Sequence, residues 1–193
     1  MKKFLSLLMI GLMLSISTAF AKSDESVSQQ RAEIRHMAAE TLDRLYQKYP
    51  NARRVIQNCY AYATLSNSGV KILLFGSSHG RGLAVNNQTR EEVFMRMKEV
   101  SGGLGLGAKE YDLVFVFDNK DAWDSFIVGK TRFGSSASAT ASDGVKGGSI
   151  EGADIAAEGT WIYQMTTKGL TLEATLKGTK FFKDKKLNNF SEE

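Results

Sequence analysis

Near Leu65 the spacing of the apolar residues changes from helical to extended, and that one switch limits what the chain can fold into. Upstream, Ile34, Ala38, Leu42, Leu45 and Tyr49 recur at helical intervals, while Arg31, Glu33, Arg35, Glu40 and Asp43 take the other faces. The pattern predicts a helix over 26–47. Ser26 and Gln29 have capping-box spacing at its start, and Pro50, the one proline, ends it or begins the next turn. A second short helix is expected over 51–62, and Ser66-Asn67-Ser68-Gly69 reads as a turn.

Downstream, apolar runs are short, β-prone and separated by glycine. Val70 to Phe75 reads as a dense apolar strand, Gly80 to Val85 as a glycine-rich one and Leu113 to Phe117 as a core strand. Glu92 to Val100 suits a strand by the alternation of Val93, Met95 and Met97, although its composition also suits a helix. Asp121 to Val128 is expected to be a short helix with Ala122, Trp123 and Phe126 on one face. Further strands are expected at Ala137–Ala141, Thr160–Thr166, Gly169–Leu176 and Thr179–Phe182. N-terminal helices before a glycine-rich, β-rich body predict a single α+β domain.

The N-terminus carries a different message. Lys2 and Lys3, the apolar run Phe4 to Ile16 and the small residues of Ala19-Phe20-Ala21 have the order of a secretory signal peptide over 1–21. The run is shorter than the roughly 20 residues that cross a bilayer, and no cysteine follows it to carry a lipid anchor. The expectation is a periplasmic or secreted domain over 22–193. Cys59, the lone cysteine, cannot form an internal disulfide and suits a buried small hydrophobe or a free thiol. The formal charge of +4 falls to +2 once Lys2 and Lys3 leave, too mild to predict nucleic-acid binding.

Several motifs invite a catalytic reading and fail it. Gly76-Ser77-Ser78-His79-Gly80 fits G-x-S-x-G, but no helix follows, and the only histidines are His36 and His79, neither placed downstream to act as base. Gly102 to Gly107 resembles a phosphate loop, yet a strand follows where a helix is needed. Asp118, Asp121 and Asp124 lack the alternate spacing of a calcium loop and suit the cap and first turn of the short helix. No cofactor and no metal site are expected.

One charged stretch stands out. Lys177, Lys180, Lys183, Lys185 and Lys186 crowd together, opposed only by Asp184. They make either a solvated strand and turn or a site for anionic head groups, where each lysine is worth about 1 kcal/mol near an acidic membrane.

The chain also resembles a known family. Ser101 to Phe117, a glycine-rich strand turning into a hydrophobic one, is similar to the central segment of SYLF domains. Asp121 to Phe126, Gly134 to Ala139, Trp161 to Leu170, Leu176 to Thr179 and Asn188 to Phe190 resemble the family's later segments, in order, from about residue 93 to 190. Asn58 to Ala63, with no proline nearby, departs from the usual pattern, so the chain resembles a divergent member. The resemblance implies a lipid-binding, actin-regulator-like module. Eukaryotic relatives bind phosphoinositides and some bind actin, whereas bacterial relatives are commonly exported to the envelope.

The expectation is therefore a non-enzymatic envelope protein that binds acidic phospholipid at a membrane surface, without nucleic acid. Lys177, Lys180, Lys183, Lys185 and Lys186 would attract head groups, and the stripe Ile34, Ala38, Leu42 and Leu45 would accept acyl chains. The stripe would otherwise pack on the domain, and the alternative functions are a protein-binding envelope module without a lipid ligand, whose β-rich body presents an edge or exposed apolar face to a partner, and an enzyme whose carboxylates meet only in the fold.

Overall fold

The structure, a computed structural model, describes residues 27–72, 75–102, 107–131, 133, 150–166 and 179–190. The segment 1–21, expected to be a signal peptide, Ser26, Lys177 and the strands expected at 137–141 and 169–176 lie outside the described residues.

Helix α1 spans 27–48, within a residue of its predicted ends. After Pro50 the chain re-enters a short helix, α2 (Ala52–Asn58). It stops four residues before its predicted end, because Cys59 is already extended and the alternation of Ala61, Tyr62, Ala63, Thr64 and Leu65 has a strand's period. Four long strands follow: β1 (Ala61–Ile72), β2 (Phe75–Asn86), β3 (Glu92–Gly102) and β4 (Gly107–Phe117). Helix α3 (Lys120–Ile127) comes next, then β5 (Asp154–Ala157), β6 (Thr160–Thr166) and β7 (Thr179–Lys183). The α+β class is as expected.

The described strands form one antiparallel sheet in the order β5-β6-β4-β1-β2-β3-β7. The turn expected at 66–69 does not exist. Ser66 pairs with Arg81 on one side and Asp112 on the other, so these polar residues lie within a central strand. Pairing on both edges satisfies their backbone groups and overrides their turn preference. The reversal falls instead between Ile72 and Phe75, inside the run read as one strand.

Glycine in β2 permits unusually close packing. A Cβ on Gly82 would overlap the carbonyl oxygen of Thr64 and lie 2.7 Å from Leu65 Cγ. The same run contains the G-x-S-x-G motif, which here continues a strand and makes no elbow before a helix.

Both faces of the sheet carry packed side chains, and alternation decides which residues go where. On one face Ala63, Leu65, Met95, Met97, Leu113, Phe115 and Phe117 form the main core, closed by Trp123, Phe126 and Ile127 of α3. The N-cap of α3 is Asn119, whose Oδ1 accepts from Ala122 N at 2.9 Å. Asp118, the expected cap, precedes it, and Asp121 sits in the first turn. On the other face, α1 and α2 lie over Val114, Val116, Trp161 and Tyr163.

Candidate functional site

The face under α1 is only partly covered. Leu83, Phe94 and Leu187 pack beneath Ile34 and Ala38. Farther along, the same face of β2 carries Arg81 and His79, that of β3 carries Arg96 and Lys98, and that of β7 carries Lys180 and Phe182, all exposed. Register sets them in two rows. Arg81 opposes Arg96, which opposes Phe182. His79 opposes Lys98, which opposes Lys180. Directly opposed side chains leave their Cβ atoms about 5 Å apart, so like charges are held together by strand pairing.

Little compensates this charge. Arg96 Nε lies 3.2 Å from Asp184 Oδ2. Among the described residues, no carboxylate pairs with Arg81, Lys98 or Lys180. Asp112, in the row of Arg81, is engaged by Arg44 at 2.7 Å.

Of the predicted basic residues, Lys180 is thus part of an assembled surface. Lys183 falls on the opposite face by alternation, in register with Met95. Lys185 and Lys186 are exposed in the turn after β7, where the Lys186 backbone donates to Asp184 Oδ1 at 3.0 Å. The predicted apolar stripe sits elsewhere. Ile34 is 3% exposed, Ala38 4% and Leu45 0%, with Leu42 half-buried beside Leu45. In this arrangement the stripe is the underside of a docked helix and offers no surface. Charged contacts fasten the docked helix: Arg35 to Glu92 at 2.7 Å, and Arg31 donating to the carbonyl oxygens of Leu187 (2.9 Å) and Asn189 (3.2 Å).

Arg81, Arg96 and Lys98 were not singled out from the sequence, and His79 was weighed only as a catalytic base. Their signal is alternation with Gly80, Gly82, Met95 and Met97, which places a basic residue at every second position, but joining the strands requires the register.

No nucleophilic chemistry is assembled around Cys59. Its Sγ donates to Ile56 O at 3.2 Å and accepts from Asn87 Nδ2 at 3.5 Å, and burial pushes its thiol up to about 12, far from a reactive thiolate. Among the described residues, no three His, Cys, Asp or Glu side chains gather as a metal site. No described helix is long and apolar enough to cross a membrane.

Fold and site together define an α+β domain whose helix-covered sheet keeps an open basic quarter. Residues 98–190 match the model of the Ysc84 family, described as Las17-binding protein actin regulator. The chain is also similar to Beta cell expansion factor A of Aeromonas veronii, with 31% identity over 170 residues that cover 86% of this chain and 62% of that protein. The chain therefore spans about three fifths of the length of this relative. The match identifies a Ysc84, or SYLF, domain over residues 98–190. The matched segment contains Lys98, Lys180 and the lysine cluster, whereas His79, Arg81 and α1 lie before it.

Proposed function

We propose that this protein is a non-enzymatic, exported envelope protein that holds anionic phospholipid surfaces through the basic sheet face. The observation that carries the reading is the row His79, Lys98 and Lys180 beside Arg81, exposed and without carboxylate partners among the described residues. Three permanent cations and Arg96 at about 1 kcal/mol each near an acidic surface make a useful but salt-sensitive attraction. Phe182, 41% exposed within the same face, supplies an apolar contact between the cations. The family match supports a binding role; the family is described by Las17 binding and actin regulation, which an exported protein of a bacterial envelope would not meet.

A second reading draws on Phe182 itself. An exposed aromatic flanked by arginine is a frequent centre of protein interfaces, so the face also suits an acidic partner protein of the envelope.

Co-sedimentation of residues 22–193 with vesicles separates the two. Binding to phosphatidylglycerol vesicles, absent with phosphatidylcholine and weakened by salt, is the expected result. Arg81→Glu with Lys98→Glu and Lys180→Glu should abolish it, while Lys183→Glu with Lys185→Glu and Lys186→Glu should weaken it less. Indifference to all vesicles would overturn the lipid reading and leave the protein partner.

A further inference from the structure

One member of the basic face differs in kind from the others. Arg81, Arg96, Lys98 and Lys180 carry fixed charge, whereas imidazole is the side chain that changes charge between about pH 5 and 8. His79 is exposed on this face, and strand pairing holds it there. The protein has one other histidine, His36, on the exposed side of α1, where its Nδ1 lies 3.6 Å from Glu40 Oε2.

Register fixes what surrounds His79. On its own strand Arg81 stands two places along, on the same face. On β3, Lys98 is directly opposite and Arg96 diagonal. On β7, Lys180 takes the next place in the row. On β1 the opposite residue is Ser68, and beyond it β4 places Glu110 at the same level. From α1, Arg44 engages Asp112 in the row of Arg81, and Asp184 engages Arg96. The charges nearest His79 on the sheet are therefore cations, and an anion close to it comes from the ligand.

We propose that His79 makes the grip of this face on anionic phospholipid respond to pH. A layer of phosphates laid on the row favours the protonated imidazole. The protonated imidazole in turn adds a cation to a row that already holds Lys98 and Lys180. Binding takes up a proton from solution, and protonation and binding strengthen each other. The hold on the membrane then tightens as the surroundings turn acidic. The inference rests on the membrane reading and adds its regulation.

Co-sedimentation of residues 22–193 with phosphatidylglycerol vesicles at pH 7.5 and pH 5.5, at one ionic strength, tests the assignment. The lipid is a phosphodiester and keeps its charge across this range. Wild-type protein should bind about fivefold tighter at pH 5.5, the gain from one more cation near an acidic surface. His79→Gln should bind alike at the two pH values, with the affinity of wild type at pH 7.5. His79→Lys should also bind alike at both, but with the affinity of wild type at pH 5.5, a gain that a merely structural histidine would not give. His36→Gln should keep the wild-type response. Equal wild-type binding at the two pH values, or a response that survives in His79→Gln, would overturn the proposal and leave the basic face standing. Absence of binding at either pH would overturn the membrane reading and the proposal together.

Discussion

The side chain of Asn188 pairs with the backbone of Phe94 as a neighbouring strand would: its Oδ1 accepts from Phe94 N at 2.9 Å and its Nδ2 donates to Phe94 O at 2.7 Å. The contact begins where β7 ends, one position beyond the pairing of Lys183 with Met95. Asp184 N adds a second bond to Phe94 O, at 2.9 Å. Phe94 is fully buried, so its backbone groups have no ready substitute in water. Asn188→Ala strands the Phe94 N–H and should cost about 1–3 kcal/mol. Asn188→Asp keeps the acceptor but turns the donor into a second acceptor against the carbonyl oxygens of Phe94 and Asp184, and should cost at least as much as alanine. Urea midpoints measure both, and a wild-type midpoint for the alanine variant would show that the amide adds nothing.

Gly82 tests the close approach of β1 and β2. The obstacle to a side chain there is backbone, the Thr64 carbonyl, and it cannot withdraw without breaking the ladder. Gly82→Ala should therefore cost about 3 kcal/mol or more. Arg81→Ala, one residue away on the exposed side, should stay within about 0.5 kcal/mol. Chemical denaturation of the pair is the measurement; similar midpoints would mean that the strands can separate locally to admit a methyl group.

The two residues also mark how far the sequence could be read. Helix α1 and β6 lie within a residue of their predicted limits, because Ile34, Ala38 and Leu45 repeat at helical spacing and Thr160 to Thr166 is a β-prone run between turn residues. The turn at 66–69 failed because local preference says nothing of strands on both sides. Strand β5 was missed because Asp154-Ile155-Ala156-Ala157 is too short to show a period. Lys180 was legible within a dense lysine run. Its neighbours Lys98 and His79 were not, since they meet it only through two hairpin registers, and a shift of one residue would send them to the other face.

Burial of the α1 stripe makes a separate prediction about what holds that helix down. Leu45 is wholly enclosed with Val114, Val116, Trp161 and Tyr163. Leu45→Ala should cost about 2–5 kcal/mol. Arg35→Ala removes the Glu92 pair, but both partners are well solvated and the loss should be about 0.2–1 kcal/mol. If the ranking of thermal midpoints were reversed, docking would be electrostatic, and high salt rather than core truncation would release the helix.

Alkali should loosen the same helical face. Burial pushes the Cys59 thiol from 9.0 up to about 12, and the Tyr46 and Tyr163 hydroxyls from 10.0 up to about 12. The folded state keeps protons that the unfolded chain releases first. Stability from these groups is thus fully present below pH 9 and is lost as pH rises from there toward 12. Between pH 9 and 10 the loss belongs to Cys59, so Cys59→Ala should flatten that part of the curve while leaving the later fall. Urea midpoints between pH 8 and 10.5 trace it. In the folded protein at pH 8 a thiol reagent should react slowly, and unfolding should restore the rate of an ordinary cysteine. Rapid labelling of the native protein, with an unchanged midpoint in Cys59→Ala at pH 10, would mean that the thiol is open to water and that its burial contributes no pH dependence.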